Sequence, residues 1–167
     1  MSKILDFFIK ILPLKTAYAH CDIPCGIYDP HLAQLAAHTV IRMTSLINDV
    51  KIDTNAPIEE RKKFIHQLSR YTKAKEEHAE IIKYEVRVIW GDYFKPEHVK
   101  DNPELHELVF KIMKSASKAK QEINTENANE LLSAVQQFAE IFWKTKNRES
   151  VHIASSYPTG GEIVIPK

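Results

Sequence analysis

An all-α fold, an antiparallel four-helix bundle with a short non-periodic hook ahead of it, is what this sequence predicts. Two observations carry that expectation. The chain has only four glycines and is rich in Ala, Leu, Glu, Lys and Gln, residues that lose little on entering a helix. Apolar residues also recur at three- and four-residue steps in four separate segments, and short connections between such segments imply antiparallel neighbours.

The elements follow in order. Residues 1–19 hold three lysines against Asp6, an apolar stretch broken by Asp6, Lys10 and Pro13, and an Ala17-Tyr18-Ala19 end of the kind peptidases cut. The stretch falls short of the ~20 apolar residues that span a bilayer. It reads either as a removable leader cut between Ala19 and His20 or as an N-terminal amphipathic helix that stays and packs. Residues 20–28 contain Pro24 and Gly26 and no periodicity, which makes a compact hook. Asp29-Pro30 then starts a helix, with Asp29 as N-cap and Pro30 at the first helical position. Leu32, Leu35, Ala36, Thr39, Met43, Leu46, Ile47 and Val50 give that helix its apolar stripe.

A break at residues 53–57 opens a longer helix, striped by Phe64, Leu68, Tyr71, Ala79, Ile82, Val86, Ile89 and Trp90, which Gly91 is expected to end as a left-handed cap. A loop at 92–96 leads to Asn102-Pro103, a second cap-plus-proline start. Leu105, Leu108, Val109, Ile112, Met113, Ala116 and Ala119 stripe the third helix. After a polar break at 121–127, Leu131, Leu132, Val135, Phe138 and Phe142 stripe the fourth. Residues 147–167 change character, with Gly160-Gly161 between two β-branched runs, and read as a weak hairpin, an extended arm or disorder.

Bulk properties exclude some functions. A net charge of +1 lacks the basic excess of a nucleic-acid footprint, and no segment spans a membrane. Two cysteines in 167 residues are too few for a disulfide framework. A chain of ~150 residues buries about 70% of its surface and holds together without staples. The cysteines therefore point to chemistry. A carboxylate-bridged di-iron bundle is set aside because its paired Glu-x-x-His motifs are missing; that spacing occurs only at Glu149 and His152, in the tail.

Cys21 and Cys25 stand four apart, directly behind His20. Cleavage after Ala19 gives His20 a free α-amine. That amine, the amide nitrogen of Cys21 and the thiolates of Cys21 and Cys25 can then form an N2S2 plane with the His20 imidazole above it. Planar nitrogen and sulfur ligation suits Ni(II) or Cu(II), whereas zinc prefers a tetrahedron. Thiolates also stabilise higher oxidation states, so the site would be redox active. An uncut leader ties up the amine as a peptide bond and disables this ligand set. The same hook would serve a non-catalytic metal carrier, and an interaction module could hold the two cysteines as a disulfide.

The run His20-Cys21-Asp22-Ile23-Pro24-Cys25-Gly26-Ile27-Tyr28 resembles the nickel-binding hook of the nickel-containing superoxide dismutases, H-C-D-x-P-C-G-x-Y. The resemblance continues at Trp90 to Pro96, Pro103 to His106 and Ile141 to Lys146, and covers residues 20–146. It implies a hexameric four-helix-bundle enzyme, matured by a leader-processing peptidase, that disproportionates superoxide through Ni(II) and Ni(III). It also implies site roles. His20, Cys21 and Cys25 would hold nickel, Tyr28 and Tyr93 would guard the open face, Asp22 and Pro24 would shape the hook, the latter through a cis bond, and Lys95 would draw the anion in. Two positions depart from the family. Ala36 and His78 stand where members carry a glutamate and an arginine that support the axial imidazole, although Arg70 has a family counterpart. His78 is therefore expected to contact the His20 imidazole directly or through water. The broken apolar core of the leader favours a cytoplasmic protein, with its Ala-Tyr-Ala end leaving export as the alternative.

Overall fold

The computed structural model describes residues 25–51 and 53–167. The leader and His20, Cys21, Asp22 and Pro24 of the hook, with the proposed cis bond, lie outside the described residues. What is described is mostly helical: α1 (His31–Asp49), α2 (Ile58–Val88), a π-helical turn (Ile89–Tyr93), α3 (Pro96–Asp101), α4 (Leu105–Gln121) and α5 (Thr125–Thr145). Two strands follow, β1 (Ser150–Ala154) and β2 (Glu162–Pro166). Among the long helices, α1 packs on α2 and α5, and α4 packs on α2 and α5, so each of the four touches two others. No helix among the described residues is long and apolar enough to cross a membrane.

Helix α1 starts one residue later than expected. Pro30 takes the cap position with ψ near 3°, while the Asp29 carboxylate accepts from the His31 N–H at 2.8 Å in a turn that precedes the helix. Its buried face is also wider than its apolar stripe, taking in Ala33, Gln34, Ala37 and His38, because α1 packs against α2, α5 and β2 together. Leu32 lies outside this belt and is 55% exposed.

Helix α2 buries Lys75, Ala79, Ile82 and Val86, one residue per turn, along its C-terminal half. Lys75 is 2% exposed, and its Nζ donates to the Glu122 carbonyl at 2.5 Å, capping the end of α4. Burial lowers its pKa, with Glu76 and Glu122 opposing that shift. The expected left-handed cap at Gly91 is absent, since its φ is not positive. The helix instead widens, with the Phe94 N–H reaching back five residues to the Ile89 carbonyl at 3.2 Å. Single π turns of this kind often occur at functional sites. This one brings Tyr93 and Phe94 partly into the core.

The loop expected at 92–96 is this turn followed by the start of α3, with Pro96 at its first position. A six-residue helix has too little sequence to show a stripe. Helix α4 buries Leu105, Leu108, Val109, Ile112, Ala116 and Ala119, as its stripe predicts. It starts two residues beyond Pro103 because Asn102 is engaged elsewhere: its Nδ2 donates to the His98 carbonyl and its Oδ1 accepts from Lys144 Nζ. Helix α5 begins within the expected polar break, capped by the Asn124 side chain, which accepts from the Asn127 N–H at 3.1 Å.

The tail is a hairpin, which settles its three alternatives. Strand β1 pairs antiparallel with β2 from Ser150↔Pro166 to Ala154↔Glu162. Gly160 and Gly161 take φ of 63° and 71°, a left-handed conformation that a Cβ would oppose. Gln34 and His38 of α1 hold the hairpin. The Gln34 amide donates to the Val164 carbonyl at 2.9 Å and accepts from the Val164 N–H at 2.7 Å. His38 donates from Nε2 to the Glu162 carbonyl at 3.1 Å, so its neutral ring accepts from the Thr159 hydroxyl at Nδ1, 2.9 Å away.

Burial lowers the His38 pKa, and the bond to the Glu162 carbonyl only partly offsets this. The unfolded chain then takes up this proton first as the pH drops. The contribution of His38 to stability is complete above about pH 6.5 and is lost as pH falls below it. His152 runs the other way. Its hydrogen bond to Glu140, aided by Glu162, raises its pKa, so its contribution is present below about pH 6.5 and lost as pH rises through the folded value. Urea unfolding at pH 7 and pH 5 is expected to show a smaller acid loss of stability in His38→Gln than in the unaltered chain. An equal loss in both would mean that His38 titrates alike in the folded and unfolded states.

Candidate metal centre

Cys25 is the first described residue of the hook, and it is exposed. Gly26 follows with φ of 70°, and this left-handed step turns the Ile27 N–H back onto the Cys25 sulfur at 3.4 Å. Tyr28, three residues on and within ~10 Å along an extended strand, packs against the core ahead of α1. Among the described residues no group of three or more His, Cys, Asp or Glu side chains could hold a metal ion.

Tyr28 and Tyr93 come together, their ring centroids 5.6 Å apart. Three elements fix Tyr93. The π turn delivers it, and Phe142 of α5 packs 4.8 Å from its ring. The His98 ring of α3 stacks on it at 5.6 Å and 26°, held in turn because its Nδ1 accepts from the Lys95 N–H. The Tyr93 hydroxyl lies 2.9 Å from Thr145 Oγ1. Because Thr145 donates its own proton to the Phe142 carbonyl at 2.7 Å, Tyr93 is the donor in that pair, and its oxygen keeps only lone pairs to offer elsewhere. Lys146 Nζ sits 5.2 Å from the Tyr93 centroid and 5.1 Å from that of Phe142. Trp143 packs edge-on against Phe142, and its buried indole N–H has no hydrogen-bond acceptor among the described residues.

The other expected residues sit on separate elements: Ala36 on α1, Arg70 and His78 on α2, and Lys95 just ahead of α3. Lys95 is exposed, and its backbone rather than its ammonium touches this cluster, through His98. Arg70 and His78 stand two turns apart on α2, about 12 Å along its axis, so they do not form one contact. Arg70 lines a groove with Met43, His66, Gln67, Tyr71 and Ala74. His78 is half-buried and donates from Nδ1 to the Ala74 carbonyl at 2.8 Å, which fixes its tautomer and leaves Nε2 an acceptor. Ala36 is 2% exposed, a methyl group in the core with no polar atom to support an imidazole. Sequence reasoning missed His98, Thr145 and Lys146. The Phe142, Thr145 and Lys146 spacing, one turn of a helix, was the available signal.

The family model for nickel-containing superoxide dismutase matches residues 15–146. The chain is 37% identical over 134 residues to the "Superoxide dismutase [Ni]" of Streptomyces coelicolor, covering 80% of this chain and 93% of that one. It is 38% identical over 136 residues to the protein of that name from Streptomyces seoulensis, with the same coverage. The fold is similar to a solved native nickel superoxide dismutase, at a TM-score of 0.65 and 37% identity over 76% of this chain and 99% of the other. A Ni-containing superoxide dismutase with its ligation in the oxidised state gives a TM-score of 0.67 at 35% identity over 77% and 99%. Sequence and fold comparisons agree, and the chain belongs to the nickel-containing superoxide dismutase family.

Proposed function

We propose that this chain disproportionates superoxide to oxygen and hydrogen peroxide, using nickel held by a hook that removal of residues 1–19 completes. As a member of its family it is an oxidoreductase, nickel is its cofactor and superoxide is its substrate. The reading of the site rests on the donor set: the α-amine and imidazole of His20, the amide nitrogen and thiolate of Cys21 and the thiolate of Cys25 suit nickel and do not suit tetrahedral zinc. The observation that carries it is the turn at Cys25-Gly26-Ile27, which leads from the hook motif straight to Tyr28 on Tyr93. When bound, nickel supplies the redox change, alternating between Ni(II) and Ni(III).

The chain's own groups do the rest. Tyr28 and Tyr93 form an aromatic wall at the mouth of the hook. Tyr93 is oriented by the hydrogen bond that its hydroxyl donates to Thr145. Two superoxide ions consume two protons on the way to oxygen and peroxide, and in this reading both come from solvent. His78 offers Nε2 as an acceptor for an imidazole N–H, which makes it a candidate support for His20 in place of the family's charged pair. Asp22 and Pro24 shape the hook.

The domain reading is a leader at 1–19, an enzyme unit at 20–146 and a hairpin extension at 147–167. The ring of helix contacts and the short connections support an antiparallel four-helix bundle. A cytoplasmic homo-hexamer matured by a leader-processing peptidase completes the proposal. Its test is expression with a processing peptidase, followed by N-terminal sequencing, metal analysis and a superoxide assay. The expected product begins at His20, carries stoichiometric nickel and turns over superoxide. A chain that still begins at Met1 and is fully active contradicts the mechanism.

A further inference from the structure

We propose that Lys146, at the C-cap of α5, is the positioning residue that draws superoxide to the tyrosine pair; this rests on the dismutase reading above. The ammonium lies within about one ring width of both Tyr93 and Phe142, the separation at which a cation is held by aromatic faces. The end of a helix also favours a cation. None of the ion pairs among the described residues involves Lys146, so no described carboxylate is paired with it. Its neighbour Lys144, by contrast, gives its ammonium to Asn102.

The chemistry of Tyr93 makes such a charge necessary. Its phenolic proton is committed to Thr145, so the oxygen presents lone pairs, which repel an incoming anion. A half-buried ammonium over the same ring reverses the local potential. A charge set against low-dielectric aromatic walls focuses its field on what approaches them. Among the described residues Lys146 is the lysine placed over the Tyr93 ring, so in this reading it joins Lys95 as a steering charge.

The test uses the processed, nickel-loaded enzyme. In Lys146→Met, kcat/KM for superoxide is expected to fall about threefold to tenfold at an ionic strength of about 10 mM, and the gap to close to under about twofold at about 0.5 M. Lys146→Arg is expected to recover most of the loss. Lys63→Met, which removes the same charge from an exposed position on α2, is expected to track the unaltered enzyme. A loss that is the same at every salt concentration, or that accompanies a loss of nickel, makes Lys146 structural and overturns the proposal.

A second measurement does not depend on turnover. The chain has two tryptophans, so Trp90→Phe leaves Trp143, beside Phe142, as the single indole. Adding Lys146→Met is expected to lower quenching of Trp143 by iodide about twofold while quenching by neutral acrylamide stays constant. Unchanged iodide quenching overturns the local positive potential. No superoxide turnover in the unaltered enzyme, with the iodide difference intact, would instead sink the dismutase reading and leave the anion-attracting role of Lys146 supported.

Discussion

Cys25→Ser is expected to leave the helical fold intact, to strip the protein of stoichiometric nickel and to lower superoxide turnover by more than about 100-fold. The first part follows from exposure. Cys25 lies outside the helices, ahead of the buried face of α1, and surface substitutions away from packed features usually shift stability by within about 0.5 kcal/mol. The second part follows from ligand chemistry. A serine hydroxyl keeps its proton at neutral pH and is a hard donor, so the proposed N2S2 plane loses one of the two soft ligands that hold nickel and stabilise its oxidised form. Metal analysis, a superoxide assay and a thermal melt on the processed protein separate the two effects. Full nickel occupancy with full turnover would exclude Cys25 from the site. In the same series, His78→Gln is expected to reduce turnover about 10- to 100-fold and to alter the spectrum of the oxidised nickel, because outer-shell partners fix ligand orientation. An unaltered rate and spectrum would remove His78 from the site.

What the sequence displays and what it hides divide along physical lines. Helix α4 was legible residue by residue because its apolar stripe is also its buried face. Helix α1 was legible as a helix but not in its orientation, since Gln34 and His38 are buried by hydrogen bonds to β2 and not by hydrophobicity, while Leu32 faces outward. The π turn was hidden behind Gly91. A glycine after an apolar run reads as a stop, and only the packing of Tyr93 and Phe94 on α5 explains why the helix widens instead. The hook motif could be read from the sequence because its residue order is distinctive, and the family resemblance that it carries pointed to Tyr28 and Tyr93, whose rings meet in the fold. Helical spacing could set Lys146 beside Phe142, but not over Tyr93, because that placement depends on α3, α5 and the π turn converging on one ring.

Gln34→Ala is expected to destabilise the protein by about 3–5 kcal/mol, a large part of the roughly 5–15 kcal/mol that holds a domain together. The reason is the match between a helix and a strand. Gln34 and His38 are four residues apart on α1, about 6 Å along the helix, and their partners Val164 and Glu162 are two residues apart on β2, about 6.8 Å along the strand. Two side chains of α1 therefore meet successive outward-facing rungs of β2, as a third strand would. Val164 is 1% exposed, so removing the Gln34 amide leaves its N–H and its carbonyl without water to replace the lost bonds, at about 1–3 kcal/mol each. Gln34→Leu, which restores volume but not hydrogen bonds, is expected to recover little. Gln34→Glu makes a sharper test. An ionised carboxylate can accept from the Val164 N–H but cannot donate to the Val164 carbonyl, so the folded state favours the protonated form. That raises the carboxyl pKa on folding, and the deficit against the unaltered chain should be large at pH 7 and shrink as the pH approaches about 4.5. Hydrogen exchange at the Val164 amide reports the same contact locally, and it should accelerate in Gln34→Ala. A loss below about 1 kcal/mol with that amide still protected would mean that the hairpin is held without Gln34, by the bonds of His38 and Gln136 to Glu162 and the packing of Ile163 and Val164.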